Sequence, residues 1–213
     1  MANVLIVDDQ MGARDTLINA VESVEGLFVK KSISNAKMAY TVCLSGQIDM
    51  VIMDVYTENG ENGIEAAAKI KKDFSWIKII VVTSMAEVSF LDRAKEAGVE
   101  SFWYKDEGEA ELSDVIKKTL DGEQIWPDAT PTVKIGEILS TEFSDRELEI
   151  LREIVNERTY EQIKEKLNIE VTTINYHVRN MLNKTGMRTK TGLVAAVTSK
   201  RLIVPNLWAE DFD

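Results

Sequence analysis

Four strand-like runs in the first half of the chain end in residues able to do chemistry. Val4-Leu5-Ile6-Val7 runs into Asp8 and Asp9, and Met50-Val51-Ile52-Met53 runs into Asp54. Ile77 to Val82 stops at Thr83, and Val99 to Tyr104 stops at Lys105. Short apolar runs of this kind are the pattern of strands buried on both faces of a sheet. If the strands are parallel and their crossovers right-handed, the C-terminal ends share one edge, where open α/β sheets bind ligands. Three carboxylates, a hydroxyl and an ammonium would then meet. Carboxylates so close repel and raise one another's pKa unless a cation intervenes. Hard oxygen donors with open water positions suit Mg²⁺. Zinc lacks its usual ligands, because the single histidine, His177, lies in the other half. A metal-bound carboxylate beside a Lys and a Thr is a phosphoryl acceptor site. The ion and Lys105 neutralise phosphoryl oxygens, and Thr83 hydrogen-bonds one of them.

The elements that must position these groups follow from the spacing. Leu17, Ile18, Val21 and Val24 mark a helix over residues 11–24, closed by Gly26. A weaker strand over 27–33 and a helix over about 35–45 come next. Ile64, Ala67, Ala68 and Ile70 mark a third helix, residues 86–96 a fourth, and Leu112, Val115, Ile116 and Leu120 a fifth. Five strands alternating with five helices predict an α/β domain: a doubly wound parallel sheet covered on both faces.

Residues 123–140 carry Pro127, Pro131 and Gly136 without a clear period and read as a linker. Beyond it the pattern is helical throughout. Ser144 with Glu147 forms a capping box ahead of Leu148, Leu151, Ile154 and Val155. A second helix spans about 159–167 with Thr159 as its cap, and Asn168 suits a left-handed turn. A third spans about 171–184, with Ile174, Val178, Met181 and Leu182 inward. A fourth covers about 189–200. The second and third helices, joined by a tight turn, are a helix-turn-helix candidate. On the third, Thr172, Asn175, Tyr176 and Arg179 face away from the apolar stripe. Lys184, Arg188 and Lys190 follow at its end, where phosphates could be met.

The net charge of −11 weighs against nucleic acid until its distribution is read. Residues 171–209 contain Arg179, Lys184, Arg188, Lys190, Lys200 and Arg201 and no Asp or Glu. The two ends of the chain therefore address different partners. Cys43 is the only cysteine, which excludes an internal disulfide framework and fits a reducing compartment. No apolar run approaches the length of a membrane span, and the N-terminus lacks a signal-peptide pattern, so a cytoplasmic protein is expected.

Asp8-Asp9, Asp54, Thr83 and Lys105, in this order and spacing, resemble the receiver domain of two-component response regulators, over residues 1–122. Phe143 to Leu151 together with Val171 to Lys184 resembles the LuxR-type helix-turn-helix of NarL/FixJ regulators, over about residues 141–205 of a second domain spanning 141–213. The resemblance implies a five-stranded flavodoxin-like receiver followed by a small all-α, four-helix DNA-binding domain, and no enzyme activity toward a small-molecule substrate. It implies that Asp54 accepts a phosphoryl group from a sensor histidine kinase. Asp9, Asp54 and the backbone carbonyl of Tyr56 would hold Mg²⁺, with Asp8 acting through water. Lys105 and Thr83 would hold the phosphoryl group, and Thr83 with Phe102 would be the switch. Asn175, Tyr176 and Arg179 would read promoter DNA, while Thr173, His177 and Lys184 would touch its backbone or support the helix. The last helix, around Leu193 to Ser199, would be the surface of a phosphorylation-dependent homodimer.

The chain departs from the receiver pattern after Asp54. Thr57-Glu58 stands where Met-Pro is usual, and Gly63 comes one position late, so a longer and less rigid loop is expected. Two other readings follow from such features. One is a DNA-binding regulator whose receiver works without phosphorylation. The other is a Mg²⁺-dependent phosphatase using Asp54; it lacks a second carboxylate two positions on, where Tyr56 stands.

Overall fold

The computed structural model describes residues 1–58, 61–105 and 109–205. The chain divides into two units, one comprising Met1–Ser84 with Ser89–Ala129, the other Met85–Val88 with the chain from Thr130 onward.

The first unit runs β1 (Ala2–Val7), α1 (Met11–Glu22), β2 (Leu27–Ile33), α2 (Ala39–Cys43), β3 (Met50–Asp54), β4 (Tyr56–Thr57), β5 (Glu61–Asn62), α3 (Gly63–Asp73), β6 (Lys78–Thr83), α4 (Phe90–Glu96), β7 (Ser101–Tyr104) and α5 (Glu109–Leu120). Five strands form a parallel sheet in the order β2-β1-β3-β6-β7. β1, β3 and β6 lie between two neighbours each, which is why their sequences are apolar without alternation: Val4 to Val7 and Met50 to Met53 are fully buried. Core side chains from β1, β3, β6 and β7 pack against Leu17, Ala20 and Val21 of α1 and Leu112, Val115 and Ile116 of α5. Burial leaves the Cys43 thiol raised to about 11, so it behaves as a core apolar group.

Three expected boundaries shift. The helix expected over 35–45 is a 3₁₀ turn, Ala36–Met38, followed by the short α2. The strand expected from Val99 begins at Ser101. The helix expected over 86–96 begins at Phe90. Met85, Ala86 and Glu87 are buried in succession, which one stripe of a helix cannot do.

The described residues on either side of the loop after Asp54 are tied to their neighbours. β4 and β5 pair antiparallel, Tyr56 with Asn62 and Thr57 with Glu61; Asn59 and Gly60 lie outside the described residues. The Thr57 hydroxyl accepts from the Ala36 amide at 2.9 Å and donates to the Glu61 carbonyl at 3.2 Å. Ser34 Oγ donates to Glu58 Oε2 at 2.8 Å. The Asn62 side chain caps α3, accepting from Ile64 and Glu65. Gly63 is required: a Cβ there would sit 1.8 Å from the Asp54 carbonyl oxygen.

The second unit opens with a hairpin, β8 (Lys134–Ile135) and β9 (Ile138–Leu139), inside the stretch read as linker. Gly136 lies at φ +61° there, and a Cβ would meet the Thr185 carbonyl oxygen at 2.1 Å. Four helices follow: α6 (Asp145–Val155), α7 (Tyr160–Leu167), α8 (Val171–Thr185) and α9 (Lys190–Ser199). Ser144 with Glu147 and Thr159 with Gln162 form capping boxes at α6 and α7. Asn168 takes the left-handed conformation that turns α7 into α8. Ile150, Leu151, Ile163, Ile174, Met181, Leu193 and Val197 form the core. The residues from Asn206 on, including acidic Glu210, Asp211 and Asp213, lie outside the described residues. Among the described residues no helix is long and apolar enough to cross a membrane.

Candidate functional site

Strand register brings the site together. Val7 pairs with Met53, so the next residues on β1 and β3 are Asp8 and Asp54. Asp54 in turn pairs with Val82, and Thr83 with Tyr104, so Thr83 and Lys105 follow on the neighbouring strands. Asp8 and Thr83 are fully buried and Asp54 is 4% exposed. Lys105 Nζ donates to Asp8 Oδ2 at 2.6 Å and to Asp54 Oδ2 at 2.8 Å. Arg14, one turn into α1, donates to the Asp8 backbone carbonyl at 2.7 Å and holds the β1–α1 turn.

Burial dominates the electrostatics of Asp54. It raises the carboxyl to about 7; the Lys105 ammonium pulls the other way, and Asp8 adds to the rise. For Lys105 burial acts downward, yet the Asp54 and Asp8 carboxylates outweigh it and raise its pKa. A divalent cation would relieve the repulsion between the carboxylates. Ligand oxygens of Asp8, Asp9 and Asp54 all lie within 4.8 Å of one another. The donor set is wholly oxygen, which fits a hard divalent cation.

On the second unit, Thr172, Asn175, Tyr176 and Arg179 are exposed along α8, and Thr173 and His177 are half-buried. Tyr176 stacks edge-on against His177, with ring centroids 5.5 Å apart. Asn175 Nδ2 donates to the Val171 carbonyl at 3.0 Å. Two of the expected cations are already engaged. Lys184 Nζ donates to Glu147 Oε2 at 2.8 Å and to the Glu142 carbonyl at 3.2 Å. Lys190 sits 5.1 Å from the centre of the Tyr160 ring. Arg188 is exposed.

A family model for the response regulator receiver domain matches residues 4–117, more than half of the chain, and one for bacterial regulatory proteins of the luxR family matches residues 141–197. The chain belongs to the two-component response regulators. It joins a receiver to a LuxR-type DNA-binding domain. The regulator is 28% identical over 206 residues to the response regulator protein VraR of Staphylococcus epidermidis, covering 94% of this chain and 98% of that one. It shares its fold with the RcsB response regulator of Salmonella typhimurium, at a TM-score of 0.61 and 20% identity, over 93% of this chain and all of that one. It also shares it with RcsB in a structure of two dimers bound to two parallel DNAs, at a TM-score of 0.63 and 20% identity, over 93% and 98% of the two chains.

The sheet edge of the regulator unites Asp8, Asp54 and Lys105 by hydrogen bonds, as strand-end chemistry predicts. Phe102 is 1% exposed, on the opposite face of β7 from Trp103. Sequence reasoning missed the buried charges that hold the second unit. Glu147 is 3% exposed and Glu153 is 4% exposed. Glu153 meets Arg158 at 2.8 Å and Lys166 at 3.0 Å. Alternation of acidic and basic residues hides such pairs, because the same composition describes a solvated face.

Proposed function

We propose that this response regulator is a phosphorylation-controlled transcription factor, with Asp54 as the acceptor. The observation that carries the reading is the Asp8–Lys105–Asp54 contact: a nucleophilic carboxylate held out of water beside a fixed ammonium. The donor is a phosphohistidine of a sensor histidine kinase. An Asp54 oxygen attacks phosphorus, the P–N bond breaks as the O–P bond forms, and the electron pair leaves with the imidazole nitrogen. Lys105 shifts from the carboxylates to the transferred phosphoryl oxygens, and the Thr83 hydroxyl takes another. Asp9, Asp54 and the Tyr56 carbonyl would hold Mg²⁺, with Asp8 acting through water; when bound, the ion supplies positive charge against the phosphoryl oxygens. Thr83 and Phe102 carry the change outward. The product is a homodimer joined through α9, whose paired α8 helices bind two promoter half-sites. Asn175, Tyr176 and Arg179 read base edges in the major groove, with Thr172 beside them. Thr173, His177, Lys184, Arg188 and Lys190 meet the backbone or brace the helix.

The anchored loop after Asp54 weighs against a receiver that works without phosphorylation. Thr57, Glu58 and Asn62 are each tied to neighbouring backbone or side chains. The deciding experiment incubates the full chain with Mg²⁺ and acetyl phosphate, then records intact mass and gel-filtration size beside Asp54→Ala. The expected result is one phosphoryl group, absent from the variant, with a monomer-to-dimer shift. An unmodified mass would transfer the case to the phosphorylation-independent reading.

A further inference from the structure

The start of the linker is built into the receiver. The Phe102 amide donates to the Ile125 carbonyl at 2.9 Å, and the Ile125 amide donates to Ser101 Oγ at 3.0 Å. Ile125 thus pairs with β7, the edge strand of the sheet, and its side chain packs on the first core. The bond to Ser101 is the head of a relay. Thr119 Oγ1 donates to the Val115 carbonyl at 2.7 Å, so the hydrogen between Thr119 and Ser101, 2.7 Å apart, belongs to Ser101. Each hydroxyl both accepts and donates, an arrangement that strengthens every bond in the chain.

The next residue, Trp126, touches both elements that flank this edge. Its ring stacks on Phe102 with centroids 6.4 Å apart and planes 26° from parallel. Lys95, in the last turn of α4, lies 5.4 Å from its centre. Lys95, Gly98, Val99, Gln124 and Trp126 line an open cleft there. Phe102 in turn packs on Tyr104, centroids 5.1 Å apart, and Tyr104 pairs with Thr83. A continuous set of contacts therefore runs from the strand end that holds Thr83 to the first residues of the linker.

We infer that Trp126 is a latch: it pins the start of the linker to β7 while Phe102 keeps its present rotamer, and phosphorylation frees the linker when Phe102 turns. The inference rests on the phosphoacceptor reading of Asp54. Release adds residues 123–129 to the tether between the two units, which changes the effective concentration of one for the other.

The test is hydrogen–deuterium exchange of the full chain, read on the peptide spanning 123–129, with Mg²⁺ alone and with Mg²⁺ plus acetyl phosphate. Intact mass is measured on the same samples. The expected result is slow exchange in the unmodified chain and exchange about two- to tenfold faster in the phosphorylated one, the range an aromatic pair implies. Trp126→Ala exchanges fast before phosphorylation and gains nothing from it, and Trp126→Phe restores slow exchange. A phosphorylated chain whose 123–129 peptide exchanges as before overturns the latch alone. So does an unmodified Trp126→Ala as slow as the natural chain. A sample that gains no mass overturns the latch together with the phosphoacceptor reading.

Discussion

Asp54 sits almost out of water, with its carboxyl raised to about 7, chiefly by burial. Its unfolded value is that of an ordinary carboxylate, near 4. The fold therefore binds the proton more tightly than the unfolded chain does. The stability this contributes is full below about pH 4 and is lost as pH rises toward 7. Asp54→Asn removes the ionising group, so its urea midpoint should exceed that of the natural chain at pH 7.5 and converge with it near pH 4. A lower midpoint for the variant at pH 7.5 would mean that attraction to Lys105 outweighs burial. A second residue stores strain without a site: Glu157 stands at φ 61°, between α6 and α7. Glycine carries no Cβ penalty there, so Glu157→Gly should raise the stability of the second unit by about 1 kcal/mol in chemical denaturation. No gain would place the cost of that turn elsewhere.

At the scale of elements, the start of α6 is joined to the end of α8. Glu147 is at once a capping-box residue and the partner of Lys184. Burial acts to raise its carboxyl, but the bonds from Lys184 and from the Ser144 backbone and hydroxyl prevail and lower it. A depressed folded pKa contributes stability above the unfolded value, lost as pH falls through the folded one. Lys184→Met should destabilise the second unit at pH 7 by about 1–2 kcal/mol, a figure reduced for the partly exposed ammonium. The difference should close in a urea series as pH falls below the ordinary carboxylate range and through the depressed folded value. If Lys184 instead works mainly on phosphate, the variant will unfold normally and the salt dependence of DNA binding will fall by about one ion. The β4–β5 hairpin makes a similar point. Thr57 and Glu58 replace a stiff Met-Pro with hydrogen bonds to residues 34–36, so rigidity there comes from contact rather than from the chain itself.

For the whole molecule, the two units carry separate chemistries on one acidic chain. In the proposed DNA complex, cations on and beside α8 would act against a net charge of −11. With Lys184 on Glu147 and Lys190 over Tyr160, Arg179 is an exposed cation on α8, the helix proposed above to enter the major groove. Arg179→Ala should weaken binding to DNA selected from a random pool by about 1–3 kcal/mol and relax the choice of base at one position. Uniform weakening across sequences would mark it as a phosphate contact instead.

Much of this was legible along the chain. The order of strand-end residues, Asp8-Asp9, Asp54, Thr83 and Lys105, pointed to the fold class and to where a candidate site would lie, because parallel strands with right-handed crossovers leave one place for their C-terminal ends. The caps at Ser144 and Thr159 and the left-handed turn at Asn168 were equally local, since each depends on a side chain and backbone within three residues. Gly136-Glu137 between Ile135 and Ile138 held the signal for the β8–β9 hairpin inside an apparent linker. What tertiary structure alone decided has another character. The start of α4 at Phe90, the pairing of Ile125 with β7, the stacking of Trp126 on Phe102 and the burial of Glu147 against Lys184 all depend on residues distant in sequence. Local propensity is silent on such contacts, because their energy comes from surfaces that exist only after the chain has folded.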